Sequence, residues 1–444
     1  MRLLVLVMVS LLLPAVMNAQ SGKGKPSLAY TSTLKKVTDV MVNDVTSPVA
    51  ASRYYAYINL AAYEAASLYR PTVYPSFHQQ LNKYNSLAVP DSLLKETDSS
   101  LVVLLTILKT GQRLLPSGYM MKAVIDSLTS AYLQQPDAQR KYVRSADIAY
   151  MVTTHVAAYA KADGFTRLNN LPRYTPKEGD GFWKPTPPGF IWPIEPHWRT
   201  LRPFTLDSAA QYKTRPPAPY DTVASSSFYQ QLKEVYDYGK KATAEQKEIA
   251  MYWDCNPFAI QQIGHVEFGL KKISPGGHWI GITGIACRMQ QLSMGQTAYV
   301  HALVSFALAD AFIACWDEKY RSDRVRPETV IHQLMDQMWM PLLQTPPFPE
   351  YVSGHSVAST AAAEVLTKLF GDRFAFTDNT EVEFGLKERA FPSFRAAAAE
   401  AAISRLYGGI HYRDAITEGE WLGKKVGEHL ISRLSAYFLT LSKK

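Results

Sequence analysis

The stretch AASRYYAYINLAAYEAASLY, residues 50–69, carries the clearest indication of the fold. Alanine, leucine and aromatic residues recur in it at helical spacing. Residues 97–112, 117–133 and 139–163 continue in the same style, and strand-like alternation is scarce. We therefore predict an all-α protein that begins with a group of packed helices.

Residues 164–222 interrupt this pattern because proline and glycine crowd the segment. Such a sequence forms neither a regular helix nor a central strand. A flexible linker is one interpretation, but large aromatic side chains are costly to leave in water. We favour an ordered, irregular excursion packed over the helices. Its aromatic residues are Phe182, Trp183, Phe190, Trp192 and Trp198.

Helical patterns return from residue 225 onward. Thr243 and Gln246 form a capping-box pattern before the helix predicted over 243–254. Further helices are predicted over 289–318, over 353–371, over 392–409 and from Glu418 to Leu441. We predict two packed bundles, residues 28–222 with the excursion at 164–222, and residues 223–444.

The N-terminus reads as a secretory signal over residues 1–19. Arg2 supplies the positive charge, Leu3 to Val16 the apolar run, and Ala19 a plausible cleavage point. A retained N-terminal anchor is the alternative. We expect a secreted or periplasmic protein with no transmembrane span after cleavage. The apolar stretch from Ala298 to Trp316 fits a buried bundle helix better than a membrane helix.

The formal net charge is +8, and the basic residues do not form long runs. The positive balance favours the attraction of small anions. The dispersed basic residues and the lack of a binding motif argue against a nucleic-acid partner. Cys255, Cys287 and Cys315 match no zinc spacing. An exported protein could pair two of them, but buried apolar side chains are the better prediction.

Three basic segments in the last third carry the chemistry: KYRSDRVRP (319–327), YVSGH (351–355) and SRLYGGIH (404–411). Their cations, hydroxyl and backbone amides suit an anion with several oxygens. If the first segment is helical, Lys319 and Arg326 lie near one face, two turns apart, until Pro327 ends the helix. A solvated, charged helix end is the alternative.

The second segment lies at the start of a predicted helix, and the third lies at the end of one. Ser353 and Gly354 stand at a helix start, where unpaired amides bind anions and glycine allows close approach. His355 there opposes the helix dipole, which favours a functional role over simple capping. Arg405 lies near a helix end, and the Gly-Gly break could bring His411 round toward it, although a lone histidine is often structural.

The order Lys-x6-Arg-Pro, Ser-Gly-His, Ser-Arg-x5-His resembles the signature of the type 2 phosphatidic acid phosphatase and vanadium-dependent haloperoxidase superfamily. YYAYINLAAYEAA (54–66), PPFPEYVSGHS (346–356) and SRLYGGIHYRDA (404–415) are similar to the haloperoxidase side. The resemblance implies that vanadate or phosphate is held by Lys319, Arg326, Ser353, Gly354 and Arg405. It also implies that His411 bonds the vanadium or phosphorus atom, and that His355 is the acid–base.

The resemblance extends to pocket residues and shows two departures. Trp316 and Phe348 match positions that line the haloperoxidase pocket, and Asp254 matches an acid that pairs with the arginine at 405. Val352 replaces the usual proline, which should loosen the turn. The phosphatase aspartate is replaced by Ala415, with Asp414 one residue earlier, where its carboxylate could still approach the imidazole.

The resemblance implies an enzyme that uses vanadate as cofactor and hydrogen peroxide to oxidise halide, and the predicted signal over 1–19 implies that it is exported. An acid phosphatase acting through a phosphohistidine at His411 is the first alternative. The missing aspartate weakens it, because that carboxylate orients the nucleophile. A non-catalytic oxyanion-binding protein is the second. The halide, the phosphate ester, the organic acceptor and the oligomeric state stay open at the sequence level.

Overall fold

The structure of the protein is a computed structural model that describes residues 26–263, 266–269 and 271–435. The predicted signal over 1–19 and the last residues of the final predicted helix lie outside this range. The first half contains α1 (Pro26–Asn43), α2 (Pro48–Ser67), α3 (Asp91–Leu94), α4 (Ser99–Leu114), α5 (Met121–Tyr132) and α6 (Ala138–Lys161).

Helices also dominate the second half. They are α7 (Ser227–Lys241), α8 (Ala244–Tyr252), α9 (Pro275–Met289), α10 (Met294–Ser322), α11 (Pro327–Leu334), α12 (Gly354–Phe370), α13 (Phe394–Tyr407) and α14 (Arg413–Arg433). Two short antiparallel pairs complete the described regular structure: β1 (Ile260–Ile263) with β2 (Val266–Gly269), and β3 (Phe376–Asp378) with β4 (Arg389–Phe391). The all-α prediction is confirmed.

Helix α2 contains most of the stretch at residues 50–69, which was predicted to be helical. Ser47 caps it by accepting a hydrogen bond from the Ala50 amide (3.2 Å), and every residue of α2 is buried. Its one asparagine is fully satisfied: Asn59 Nδ2 donates to Ser305 Oγ (2.9 Å), and Asn59 Oδ1 accepts from Tyr30 (2.7 Å). A helix that is apolar on all sides needs neighbours on all sides, and α2 packs against α4 and α10.

Helix α10 is the central element. A Ser293–Gln296 capping box starts it, so the helix predicted over 289–318 begins later than expected, after a break that follows α9. Within the described residues, only α10 is long and apolar enough to cross a membrane, and its apolar window is completely buried inside the protein. It is therefore a core helix.

One continuous hydrophobic core joins the two predicted bundles. It contains buried residues of α2 and α4 as well as α10, α12 and α14. The capping box at Thr243 is present, and the three cysteines are free and buried, as predicted. Helix α14 begins at Arg413, five residues before the predicted start at Glu418.

The excursion at 164–222 is ordered and irregular, with short 3-10 turns at Phe165–Asn170 and Trp198–Thr200. Buried Asp310 on α10 anchors it by accepting the backbone amides of residues 204, 205 and 206 (2.7–3.2 Å). Trp183 and Trp198 are buried, but Phe190 and Trp192 are 61% and 70% exposed. Two residues beyond Trp192, the Ile194 carbonyl holds the chain on α10 by accepting from Trp316 Nε1 (3.2 Å) and the Tyr320 hydroxyl (2.7 Å).

Candidate active site

The first basic segment changes direction between its two cations. Helix α10 ends at Ser322, and Asp323 takes a left-handed backbone conformation with φ of 54°. Arg326 is then the N-cap of α11. The prediction that Lys319 and Arg326 share one helical face is therefore wrong, because the chain turns at Asp323 before it reaches Arg326.

Both cations nevertheless contact the loop that precedes α12. Lys319 Nζ donates to the carbonyls of Pro349 (2.9 Å) and Glu350 (3.0 Å). Arg326 Nε donates to the Phe348 carbonyl (3.0 Å). Both cationic side chains are fully buried. Tertiary packing thus brings them together where helical periodicity does not.

Ser353 and Gly354 open α12, as predicted. Ser353 Oγ accepts a hydrogen bond from the Ser356 amide (3.3 Å), so it caps the helix while its own proton remains free to be donated. The preceding turn is not loose: Val352 is fully buried, and the Ser353 amide donates to the Ala415 carbonyl (3.0 Å). Packing holds this turn where the family pattern has proline.

Arg405 and His411 flank the end of α13. The helix stops at Tyr407, and Gly409 has a φ of +79°, a conformation that favours glycine. This turn leads the chain back into the interior, where His411 is buried. Arg405 is buried as well, and its Nη1 donates to the Trp253 carbonyl (2.7 Å).

The second and third segments line a small, partly open cavity of about 30 Å³, and both cations of the first segment contact its wall residue Phe348. Its wall includes Gly354, His355, Arg405 and His411 together with Trp316, Phe348 and Cys255. Three buried nitrogens of the cluster have no hydrogen-bond partner in the described part of the chain: Arg326 Nη2, Arg405 Nε and His355 Nε2. Because buried polar groups are normally paired and a guanidinium can only donate, the two arginine nitrogens indicate a missing partner rich in oxygen atoms.

The crowding of cations perturbs their protonation. Burial, together with the nearby Arg326 charge, lowers the pKa of Lys319 to about 7, although Cys315 and Glu350 oppose the change. Burial likewise lowers the pKa of Arg326 to about 10, with Arg405 adding to the repulsion. An anion among these three side chains would relieve both effects, because each cation would gain an opposite charge.

His411 is held in one tautomer. Arg326 Nη1 lies 3.3 Å from His411 Nε2, and a guanidinium can only donate, so Nε2 is the acceptor. The proton is then on Nδ1, which donates to Glu350 Oε1 (2.8 Å). Burial and the Arg326 charge keep the pKa of His411 well below its usual value. The result is a neutral imidazole with a lone pair on Nε2.

Glu350 is the site residue that sequence reasoning missed. It is fully buried, accepts the Tyr412 amide (3.0 Å) besides His411, and pairs with Arg324 (3.4 Å). Burial raises the pKa of its carboxyl to about 7, although Arg324 opposes the rise. Its signal was available, because no other carboxylate stands between Asp336 and Glu364 in the sequence.

Asp414 does not approach the imidazole, so that prediction is wrong. Its Oδ1 pairs with Arg324 Nη1 (2.5 Å), and its Oδ2 accepts the Ala218 amide (3.0 Å). Asp414 lies in the first turn of α14, where it ties that helix to the excursion. The orienting carboxylate of His411 comes instead from Glu350, sixty-one residues earlier in the chain.

Of the remaining predicted residues, Trp316 and Phe348 line the cavity, whereas Asp254 lies beside Arg405 and does not line it. Asp254 Oδ1 is 3.9 Å from Arg405 Nη2, a loose ion pair, and Asp254 also pairs with Lys272. The rings of Trp316 and Phe348 pack with centroids 4.9 Å apart and form an apolar wall. These two rings restrict the cavity to small ligands.

His355 lies in the first turn of α12 and is partly exposed, with its Nε2 buried. Burial, followed by the Arg405 charge, lowers its pKa well below the usual value, although a backbone hydrogen bond to Trp253 opposes the change. The ring is therefore neutral in the absence of an anion, and it can accept a proton at Nε2.

Comparison with known proteins agrees with this geometry. A family model for the VCPO second helical-bundle domain matches residues 299–338 and 332–440. The crystal structure of a bacterial vanadium-dependent iodoperoxidase is 43% identical, with a TM-score of 0.85 over 91% of this chain and 95% of that one. No curated protein sequence gives a significant match.

Two further structures share the fold at low identity. They are the holo and apo forms of a bacterial vanadium-dependent chloroperoxidase, 16% and 15% identical, with TM-scores of 0.66 and 0.65. They cover 89% and 88% of this chain, and 94% of each of those chains is matched. At 43% identity to the iodoperoxidase over nearly the whole of both chains, this protein belongs to the vanadium-dependent haloperoxidase family.

Proposed function

We propose that this protein is an enzyme that uses vanadate to oxidise halide with hydrogen peroxide. One observation carries the proposal: Arg405 and the neutral His411 line one cavity, and buried Arg326 and Lys319 contact its wall residues His411 and Phe348. Among the described residues, Arg326 Nη2, Arg405 Nε and His355 Nε2 have no hydrogen-bond partner. The related iodoperoxidase, at 43% identity, favours iodide as the preferred halide.

The donor set fits a tetrahedral oxyanion. Arg326 and Arg405 offer unpaired guanidinium nitrogens, Lys319 a third charge, and Ser353 a free hydroxyl proton at the N-terminus of α12. His411 Nε2 is the lone pair that would bond the vanadium atom. When bound, vanadate supplies Lewis-acid activation of hydrogen peroxide for attack by a nucleophilic halide.

The protein's own groups would handle protons and water. His355 Nε2 is unpaired and neutral, so it can take a proton from an entering hydrogen peroxide and return it to a departing oxygen. Glu350 keeps the proton of His411 on Nδ1, so Nε2 is unprotonated and its lone pair, which now accepts from Arg326, could bond the vanadium atom instead. Trp316 and Phe348 give the cavity an apolar wall. Such a wall would hold less water, and a drier cavity would strengthen every charge interaction within it.

Reconstitution tests the proposal directly. Protein freed of vanadium is incubated with orthovanadate, and peroxide-dependent oxidation of iodide, bromide and chloride is measured. We expect vanadate-dependent activity that is greatest with iodide and absent in His411→Ala. His332→Ala, which alters a histidine bonded to the Trp339 carbonyl outside the cluster, is the control and should remain active. No vanadate-stimulated oxidation of any halide would refute the proposal.

A phosphatase activity is the second candidate, because Glu350 supplies the carboxylate that Ala415 seemed to remove. With phosphate chemistry, His411 Nε2 would attack phosphorus, and His355 would protonate the leaving alcohol. The test is hydrolysis of p-nitrophenyl phosphate by vanadium-free protein. Turnover that is lost in His411→Ala, together with no halide oxidation, would favour this candidate.

The proposal includes export to the periplasm or the medium. The positive n-region, the apolar run and the small residue Ala19 within residues 1–19 support it. N-terminal sequencing of the protein from fractionated cells is the test. A mature protein beginning near residue 20 in the periplasm or medium is expected, whereas an uncleaved cytoplasmic protein would contradict export.

A further inference from the structure

A second group of buried reactive side chains adjoins the oxyanion site, and one of its members, Cys255, also lines the cavity. Cys255 follows α8, His278 belongs to the first turn of α9, and Glu381 precedes a short 3-10 turn. All three are buried, and their ligating atoms lie within 4.8 Å of one another. The mechanism above uses none of them.

The spacing of these atoms is that of a metal site. Cys255 Sγ to His278 Nδ1 is 3.4 Å, Cys255 Sγ to Glu381 Oε1 is 3.7 Å, and His278 Nδ1 to Glu381 Oε1 is 3.0 Å. Zinc bond lengths of about 2.0–2.3 Å at tetrahedral angles separate ligand atoms by about 3.3–3.7 Å. Only the His278–Glu381 pair would have to open, by a few tenths of an ångström.

The outer shell also matches that of metal-binding histidines. His278 Nε2 bonds Asp378 Oδ2 at 2.6 Å, and Asp378 Oδ1 accepts the Thr380 amide (3.0 Å) and hydroxyl (2.8 Å). A carboxylate on the far nitrogen fixes the ring and directs the other nitrogen toward a metal. Here that other nitrogen is Nδ1, which faces Cys255 and Glu381.

The charges balance for a divalent ion. Without metal, both ring nitrogens of His278 face carboxylates, so the cluster holds an imidazolium, two carboxylates and a neutral thiol, a sum of −1. A divalent ion would displace one proton from Cys255 and one from Nδ1. The cluster would then hold a thiolate, a neutral imidazole, two carboxylates and the ion, again −1, so no additional buried charge is created.

We propose that Cys255, His278 and Glu381 bind a zinc ion. The mixed sulfur, nitrogen and oxygen ligands suit zinc better than the oxygen-preferring calcium or magnesium. The ion would join three chain segments beside the active site. Trp253 lies between the two sites: its ring stacks on His278 with centroids 4.5 Å apart, and its carbonyl accepts from Arg405. The expected role is therefore structural support of the cavity wall.

Metal analysis tests the proposal. Untagged full-length protein is stripped with a chelator, incubated with zinc sulfate, dialysed and assayed by mass spectrometry for zinc and for vanadium separately. We expect about one zinc per chain in the wild type, and at least a tenfold weaker affinity in Cys255→Ser, measured by chelator competition. Cys287→Ser is the matched control, because Cys287 is also buried near a histidine, at 4.0 Å from His301 Nδ1.

Cobalt substitution gives a readout that needs no variant. Wild-type protein loaded with Co²⁺ should show a thiolate-to-metal charge-transfer band in the near ultraviolet. The proposal is overturned if the wild type retains no stoichiometric zinc, if cobalt gives no thiolate band, or if Cys255→Ser binds zinc as tightly as Cys287→Ser. Zinc is counted apart from vanadium and halide oxidation, so a failure here leaves the proposed function untouched, and the reverse also holds.

Discussion

Replacing Glu350 by glutamine isolates the charge behind His411. The amide oxygen can still accept from His411 Nδ1 and the Tyr412 amide, now at 2.8 and 3.0 Å. Its NH₂ group would face Arg324, where Glu350 now forms an ion pair at 3.4 Å. Hydrogen bonding to His411 is therefore retained, while the negative charge that makes its Nε2 a stronger ligand is lost.

The expected effect follows from that loss. Removing an outer-shell partner of a metal-binding histidine weakens metal affinity by about 10–100-fold, or about 1.4–2.8 kcal/mol. We expect Glu350→Gln to raise the Kd for orthovanadate by this factor, with the fold unchanged. Equilibrium dialysis of vanadium-free protein against orthovanadate measures the affinity, and circular dichroism checks the fold.

Asp414→Asn is the matched control for this variant. Asp414 pairs with the same guanidinium nitrogen of Arg324 but does not touch His411. It therefore reproduces the weakened Arg324 pairing alone, and we expect its vanadate affinity to stay within about threefold of the wild type. Wild-type affinity in Glu350→Gln, or equal losses in the two variants, would refute the assignment of Glu350 as the residue that positions His411.

Three further predictions concern pH, catalysis and stability. The Lys319 ammonium loses its proton above a pKa of about 7, and the Glu350 carboxylate gains one below a pKa of about 7. Orthovanadate affinity, corrected for protonation of the free anion, should therefore peak near pH 7. A flat affinity profile from about pH 5.5 to about 8.5 would contradict this. His355→Ala should keep a vanadate affinity within about tenfold of the wild type, yet its kcat for halide oxidation should fall by about 10²–10⁴. His411→Ala should instead lose vanadate binding. Equal losses of vanadate affinity in the two variants, measured by dialysis, would argue against separate roles. In Asp310→Asn, an NH₂ group would face backbone amides whose hydrogen bonds the carboxylate accepts in the wild type. This should lower the free energy of unfolding, measured by urea titration, by about 2–4 kcal/mol. A change below about 0.5 kcal/mol would be inconsistent with the anchoring role of Asp310.

Helix content and most helix positions could be predicted because their signals are local. Periodic apolar residues predicted α2, and a small polar start with a glycine stop predicted α12 over 353–371, which the structure has at Gly354–Phe370. Residues within one or two turns determine such patterns. The break at Asp323 was missed because no glycine or proline marks it. Asp323 adopts a left-handed conformation, and its partners, the Tyr174 hydroxyl and the Trp183 amide, come from a distant part of the chain.

The candidate site, like the fold, has a part that the sequence predicted. Lys319, Arg326, Ser353, Arg405 and His411 were chosen by residue type and order, and the structure places them around one cavity or its loop. The role that these residues play in catalysis stays a prediction until the variants are measured.

By itself, the sequence determined that the protein is helical and that its last third presents cations, a hydroxyl and imidazoles suited to an oxyanion. Tertiary structure alone decided which carboxylate meets His411 and which side chains gather beside the site. Glu350 reaches His411 across sixty-one residues, and Cys255, His278 and Glu381 come from three segments. No local sequence spacing predicts either arrangement. Long-range packing of the shared core, and not local periodicity, determines which of these side chains meet.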